Sequence, residues 1–156
     1  MDLGEVSLNE GGSWRGSVYP ARAAHLLAAL DPTAGFVVIE TYDGVNGWHE
    51  SIVSVSPDEE PRRRLVRHHS FELLVDPVEA AEIGRHLSAS GRGFMAYQFR
   101  DRPPAQFDLP EHPKGRAEAM RGQGVVLAID LPHDGELAVV ASPSKDAVDE
   151  FLLRLA

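Results

Sequence analysis

The stretch Val125-Val126-Leu127-Ala128-Ile129-Asp130-Leu131-Pro132-His133-Asp134-Gly135-Glu136-Leu137-Ala138-Val139-Val140-Ala141-Ser142-Pro143-Ser144-Lys145-Asp146 decides the fold class. Val125–Ile129 and Leu137–Ala141 are short continuous apolar runs. Such runs suit strands covered on both faces, which places them near the centre of a sheet. Leu131-Pro132-His133-Asp134-Gly135 joins them as a hairpin. Ser142-Pro143 then reads as a capping serine before a proline that opens a helix. Ala147, Val148, Phe151, Leu152 and Leu155 continue as an apolar stripe at helical spacing. An antiparallel hairpin leading into a packed helix predicts an α+β fold.

Working outward, Phe36-Val37-Val38-Ile39 is a third apolar run, and Asn46-Gly47 is a turn signal leading to a strand near 48–55. Segments 64–75 and 93–99 complete the antiparallel set, and residues 4–9 add an edge strand. A helix is expected from Tyr19 to Leu30, with Pro20 in its first turn and Ala23, Leu26, Leu27 and Leu30 on one face. Asp31-Pro32 stops it. A second helix starts at Asp76-Pro77-Val78-Glu79, where a capping Asp, a proline and a Glu three residues after the cap coincide, and Gly91 supplies a left-handed exit. Residues 1–156 are thus expected to form one α+β domain. Its mainly antiparallel sheet of about six or seven strands carries three helices, in the rough order β-α-β-β-β-α-β-β-β-α. Residues 100–124 are the odd region. Four prolines exclude regular structure before about residue 115, although Gly115 to Arg121 suits a short helix.

With 156 residues, 43% hydrophobic and 25% charged, the chain is long enough for its own core. It has no cysteine, which closes disulfide, thiolate-metal and cysteine-nucleophile chemistry. A formal charge of -9 disfavours phosphate backbones and anionic lipid, so neither a nucleic acid nor a membrane is an expected partner. No apolar run approaches the roughly 20 residues of a membrane span. The start, Met1-Asp2-Leu3-Gly4-Glu5, lacks the basic and apolar regions of a signal peptide. The expected compartment is the cytoplasm.

Residues 1–60 hold ten acidic side chains against only Arg15 and Arg22, whereas 61–156 hold fourteen acidic and thirteen basic groups. The first sixty residues therefore carry net -8 of the total, which reads as an acidic docking face. Basic side chains are lopsided in kind, with thirteen Arg and only Lys114 and Lys145. Arginine's fixed fork suits carboxylate recognition, which Arg62-Arg63-Arg64-Leu65-Val66-Arg67 would offer beside Asp58-Glu59-Glu60.

Catalytic motifs are weak. The seven histidines show no ligand spacing, since His68-His69 on a strand would point to opposite faces, and no metal or other cofactor is expected. Ser142-x-x-Lys145 matches a serine-lysine tetrad without the other motifs of its enzymes, and capping explains the serine. Gly91-Arg92-Gly93-Phe94-Met95-Ala96 fits a dinucleotide pattern in reverse, leaving a helix and entering a strand. No catalytic residue is assigned, and binding is favoured over catalysis. The expected partner-binding set is Tyr42, Asp43, Trp48, His49, Glu50, Asp58, Glu59 and Glu60. It joins the aromatic residues that interface hot spots favour to the acidic excess.

In size and charge the chain resembles immunity-type inhibitors, small acidic α+β proteins that neutralise a cognate toxin by covering its basic active site. No residue motif carries that likeness, so it implies a class of function and a basic protein partner, but no site. The order helix, three strands, helix, strands, helix across residues 19–156 is similar to type III secretion chaperones. That resemblance implies a homodimer binding an extended segment. The 100–124 connection and the N-terminal segment depart from it. A third expectation is a small-molecule-binding domain or small enzyme with a cavity under 100–124, near His112, Asp108 and Glu111.

Overall fold

Hydrophobic alternation and helix caps divide the chain into β1 (Asp2–Leu3), β2 (Ser7–Leu8), β3 (Trp14–Tyr19), α1 (Ala23–Ala28), β4 (Phe36–Tyr42), β5 (Arg63–Val66) and β6 (Ser70–Val75). Then follow α2 (Pro77–Ser90), β7 (Phe94–Phe99), α3 (Arg116–Gln123), β8 (Val125–Leu131), β9 (Ala138–Ser142) and α4 (Lys145–Leu155). The computed structural model describes residues 1–42, 63–66, 70–91, 93–104, 115–132 and 135–156. Among these, every strand pairing is antiparallel, in the order β1-β3-β9-β8-β7-β4-β6-β5, with β2 also on β3. The α+β expectation holds, and the three apolar runs lie in β4, β8 and β9, each flanked by strands on both sides. The Asn46-Gly47 turn and the strand near 48–55 lie outside the described residues.

Alternation assigns the two faces. Val18, Val37, Ile39, Leu73, Phe94, Ala96, Leu127, Ile129, Ala138 and Val140 point to the side covered by α1, α2 and α4. There they meet Leu26, Leu27, Ile83, Leu87, Val148 and Phe151 in the larger core. Val38, Tyr97, Phe99, Val125 and Ala128 point the other way, where Met120 of α3 covers part of the sheet.

The second helix begins as its sequence dictates. Asp76 accepts a hydrogen bond from the Glu79 backbone N–H at 2.8 Å, Pro77 opens the first turn, and Gly91 closes the helix with φ 69°. Its contact with α1 depends on Gly84, because a Cβ there would sit 2.9 Å from the Ala23 carbonyl oxygen. The α1 start has no side-chain cap of its own. Instead Ser88 Oγ of α2 accepts from the Ala24 N–H at 2.8 Å.

Three local expectations are corrected. Pro20 is not in the first turn of α1: Ala21 N–H donates to the Glu136 carbonyl, Arg22 is extended, and the helix starts only at Ala23. Ser142 is the last residue of β9 rather than a cap, and Ser144 accepts from the Ala147 N–H as the true cap of α4. The N-terminal edge is not one strand over 4–9 but the short β1 and β2, laid on the unexpected β3.

Candidate functional site

The expected partner-binding set is not joined into a site by the described residues. Tyr42 ends β4, and Asp43, Trp48, His49, Glu50, Asp58, Glu59 and Glu60 lie outside the described residues, as do Asp108, Glu111 and His112. Half of the ten acids in residues 1–60 are described. Asp2, Glu5 and Glu10 stand exposed along the outer edge made by β1 and β2, while Asp31 and Glu40 are half-buried. The tetrad Ser142-x-x-Lys145 is not assembled for catalysis. Ser142 is fully buried, donating to the Val126 carbonyl at 2.7 Å and accepting from the Ser144 N–H at 3.0 Å. Lys145 instead pairs with Asp149 at 2.7 Å, and that hydrogen bond raises its pKa.

The face of the sheet that carries α3 holds a different constellation. Cross-strand partners share a face. Arg15 therefore stands opposite Ala141, Ala141 opposite Ala128, Ala128 opposite Tyr97 and Tyr97 opposite Val38, a row running across five strands. The next row reads Ser17, Val139, Asp130, Met95 and Glu40. Two alanines between an arginine and a tyrosine leave a trough, which α3 closes on one side by bringing Arg116 over it. The result is a pocket of about 260 Å³ lined by Arg15, Arg116, Asp130, Met95, Tyr97 and the two alanines.

No protein-family model, curated protein or solved structure matches the chain. The chemistry of the pocket therefore rests on its own residues.

Asp130 is exposed as a residue, yet partial burial of its carboxyl against the pocket wall pushes its pKa above the ordinary 3.8, against the pull of Arg116 and Arg15. Tyr97 is buried, and its hydroxyl donates to Met95 Sδ at 3.6 Å, which fixes both side chains along one wall. Among the described residues no three His, Asp or Glu side chains converge on a point where a metal ion would be held.

Spacing along the chain does not single out Arg15, Arg116 or Asp130. Asp130 carries a legible signal, being the one charged residue inside the segment Val125–Leu131, but the continuous apolar run that marks the strand stops at Ile129. The other two are placed by register and by the start of α3, and no local pattern marks either arginine as a site residue.

The sign of the Asp130 shift yields a test. A carboxyl with a raised folded pKa destabilises the fold once ionised, so its cost is absent below pH 3.8, grows as pH rises through the folded value and then persists. Asp130→Asn is expected to be more stable than the parent chain at pH 7, with the difference vanishing toward pH 3. Urea denaturation across that range checks it. An equal or lower stability at pH 7 overturns the assignment.

Proposed function

We propose that the protein is an acidic protein-binding module of the cytoplasm, an immunity-type inhibitor that neutralises a basic toxin or enzyme by direct binding. One observation carries this reading: net -8 of the formal charge falls in residues 1–60. Of those acids, Asp2, Glu5 and Glu10 stand exposed along one edge of the sheet. An excess of negative charge of this kind accelerates encounter with a partner of opposite sign and rejects acidic competitors. Among the described residues no helix is long and apolar enough to cross a membrane.

A pull-down from the native host's lysate at low and high salt, followed by assay of the captured protein, tests the class. Support is a near-stoichiometric basic protein that is released by salt and loses its activity when the chain is added back. Capture that is indifferent to salt, or of a protein whose activity is untouched, overturns the reading. Charge reversal at Asp58, Glu59 and Glu60 is expected to lower the association rate by about ten-fold at low salt while leaving dissociation nearly unchanged. Stopped-flow mixing with the captured partner measures both rates, and an unchanged association rate removes these acids from the interface.

A second reading is favoured by the order of elements. From Ala23 onward the described chain runs α-β-β-β-α-β-α-β-β-α, the order that resembles secretion chaperones with α3 added in the long connection. That reading requires a homodimer. Light scattering on the purified chain separates the two, since the inhibitor reading expects one copy per partner and the chaperone reading a stable pair.

A further inference from the structure

We propose that the outer edge formed by β1 and β2 receives an extended segment of a protein partner as an added strand, one whose side chains alternate between apolar and basic. The inference rests on the protein-binding reading and names the surface and the chemistry of the segment it takes.

The edge is open, and its two sides differ. Among the described residues no strand pairs with the outer side of β1 or β2. The Gly4 N–H donates inward to the Ser17 carbonyl at 2.8 Å, and the Asn9 N–H donates to the Ser13 carbonyl at 2.9 Å. Backbone groups alternate in direction along a strand, so Leu3 and Leu8 turn their N–H and C=O away from β3, where an incoming strand would meet them. Leu3 stands opposite Val18 and Leu8 opposite Trp14, both on the helix-covered side, and Val6 packs against the same core. Asp2 stands opposite Tyr19 and Ser7 opposite Arg15 on the α3 side, to which Glu5 also turns as the neighbour of Val6.

A register shift makes this division. Between Leu3 and Ser7 the edge carries Gly4, Glu5 and Val6, where β3 has only Gly16 and Ser17. The extra residue is a bulge, without which Val6 and Leu8 would point to the α3 side and Glu5 to the core. The spacing Leu3-x-x-Val6-x-Leu8 thus keeps one side of the edge apolar across the break.

That apolar side is left open, with Leu3 38% and Leu8 56% exposed. Charges on a short edge guard it against its own copies, because a second copy would set Asp2 and Glu5 on one face with their equivalents. Guarding does not account for exposed leucines along the other side, whereas a partner strand covers them. The charge of that strand follows from complementarity. Residues 1–14 hold Asp2, Glu5 and Glu10 and no Lys or Arg, and Asp2 and Glu5 are exposed. Arg15 stands on β3, two strand spacings or roughly 10 Å from the added strand. Basic side chains on the α3 side and apolar ones on the helix side therefore fit both rows.

Titration of the ¹⁵N-labelled full chain with a capped octapeptide of alternating lysine and valine tests the edge. Its controls are alternating glutamate and valine, and a block peptide with all lysines before all valines. Saturable shifts are expected at the Leu3 and Leu8 amides, with slower hydrogen exchange there, and each control is expected to bind about ten-fold or more weakly. Reversing both exposed acids, Asp2→Lys with Glu5→Lys, is expected to invert the preference, so that the glutamate peptide binds the more tightly. Shifts that are absent at millimolar peptide, centred away from residues 2–8, or equal for the alternating and block peptides overturn the proposal. So does protection of the Leu3 and Leu8 amides that rises with the concentration of the chain alone, since a second copy then fills the edge. The peptide needs no captured partner, so the edge can fail while salt-sensitive capture of a basic protein stands. Conversely, capture that is indifferent to salt defeats the inhibitor reading and leaves peptide binding at the edge in place.

Discussion

Phe151→Ala is expected to cost about 3–5 kcal/mol of stability, the ordinary range for emptying an aromatic site in a core. At roughly 2–4 °C per kcal/mol for a chain of this size, Tm falls by on the order of 10 °C. Phe151 has no exposed surface and stands on the stripe of α4 that includes Val148 and Leu152. Beneath them β3 brings Gly16, whose missing Cβ lets Leu152 and Val148 approach to 3.1 Å and 3.2 Å of where it would be. The helix is thus pressed against a strand that has no side chain to yield at that point, so the cavity left by alanine has little means of collapsing. Leu153 provides the internal control. It sits two residues further on, 74% exposed, and Leu153→Ala is expected to change stability by no more than about 0.5 kcal/mol. Urea unfolding of both variants checks the pair. Equal effects would mean that α4 does not pack through the stripe assigned to it.

That stripe was legible because it is local. Val148, Phe151, Leu152 and Leu155 repeat at helical spacing, just as Asp76, Pro77, Glu79 and Gly91 mark the ends of α2 by positions the backbone itself requires. The hairpin of β8 and β9 was legible for the same reason. What failed to show was what depends on distant neighbours. β3 reads poorly as a strand because glycine at position 16 interrupts its apolar alternation, and only the approach of α4 explains why glycine belongs there. Pro20 carries the composition of a helix start, but the preceding strand continues through Tyr19, and the Glu136 carbonyl engages Ala21 before the helix can begin. The pocket is the extreme case. Its arginine, alanines and tyrosine come from four strands, and only the cross-strand register sets them in one row.

Gln98→Leu is expected to cost about 2–4 kcal/mol although it places an apolar side chain in a buried position, because it strands backbone groups. Gln98 is buried on the side of β7 that faces the larger core. Its Nε2 donates to the Asp31 carbonyl at 2.6 Å and to the Ala34 carbonyl at 3.0 Å, and its Oε1 accepts from the Asp31 N–H at 3.4 Å. One amide thereby satisfies both ends of the 31–34 connection between α1 and β4, where Asp31 itself accepts from Thr33, a bond that holds the Asp31 carboxyl below its usual pKa. Leucine offers no donor to the two carbonyls and no acceptor to the N–H. Gln98→Glu separates hydrogen bonding from packing. An ionised glutamate has no proton for either carbonyl and is repelled by both, so its pKa is raised in the fold and stability falls as pH climbs from the unfolded value of about 4.3. Below that value the protonated acid donates one hydrogen bond again. The Gln98→Glu variant is therefore expected to lie much closer to the parent chain at pH 4 than at pH 7, whereas the deficit of Gln98→Leu stays nearly constant over the same interval. Parallel urea titrations of the two variants decide it, and a Gln98→Glu deficit that does not grow with pH would place the amide outside the contact it is assigned.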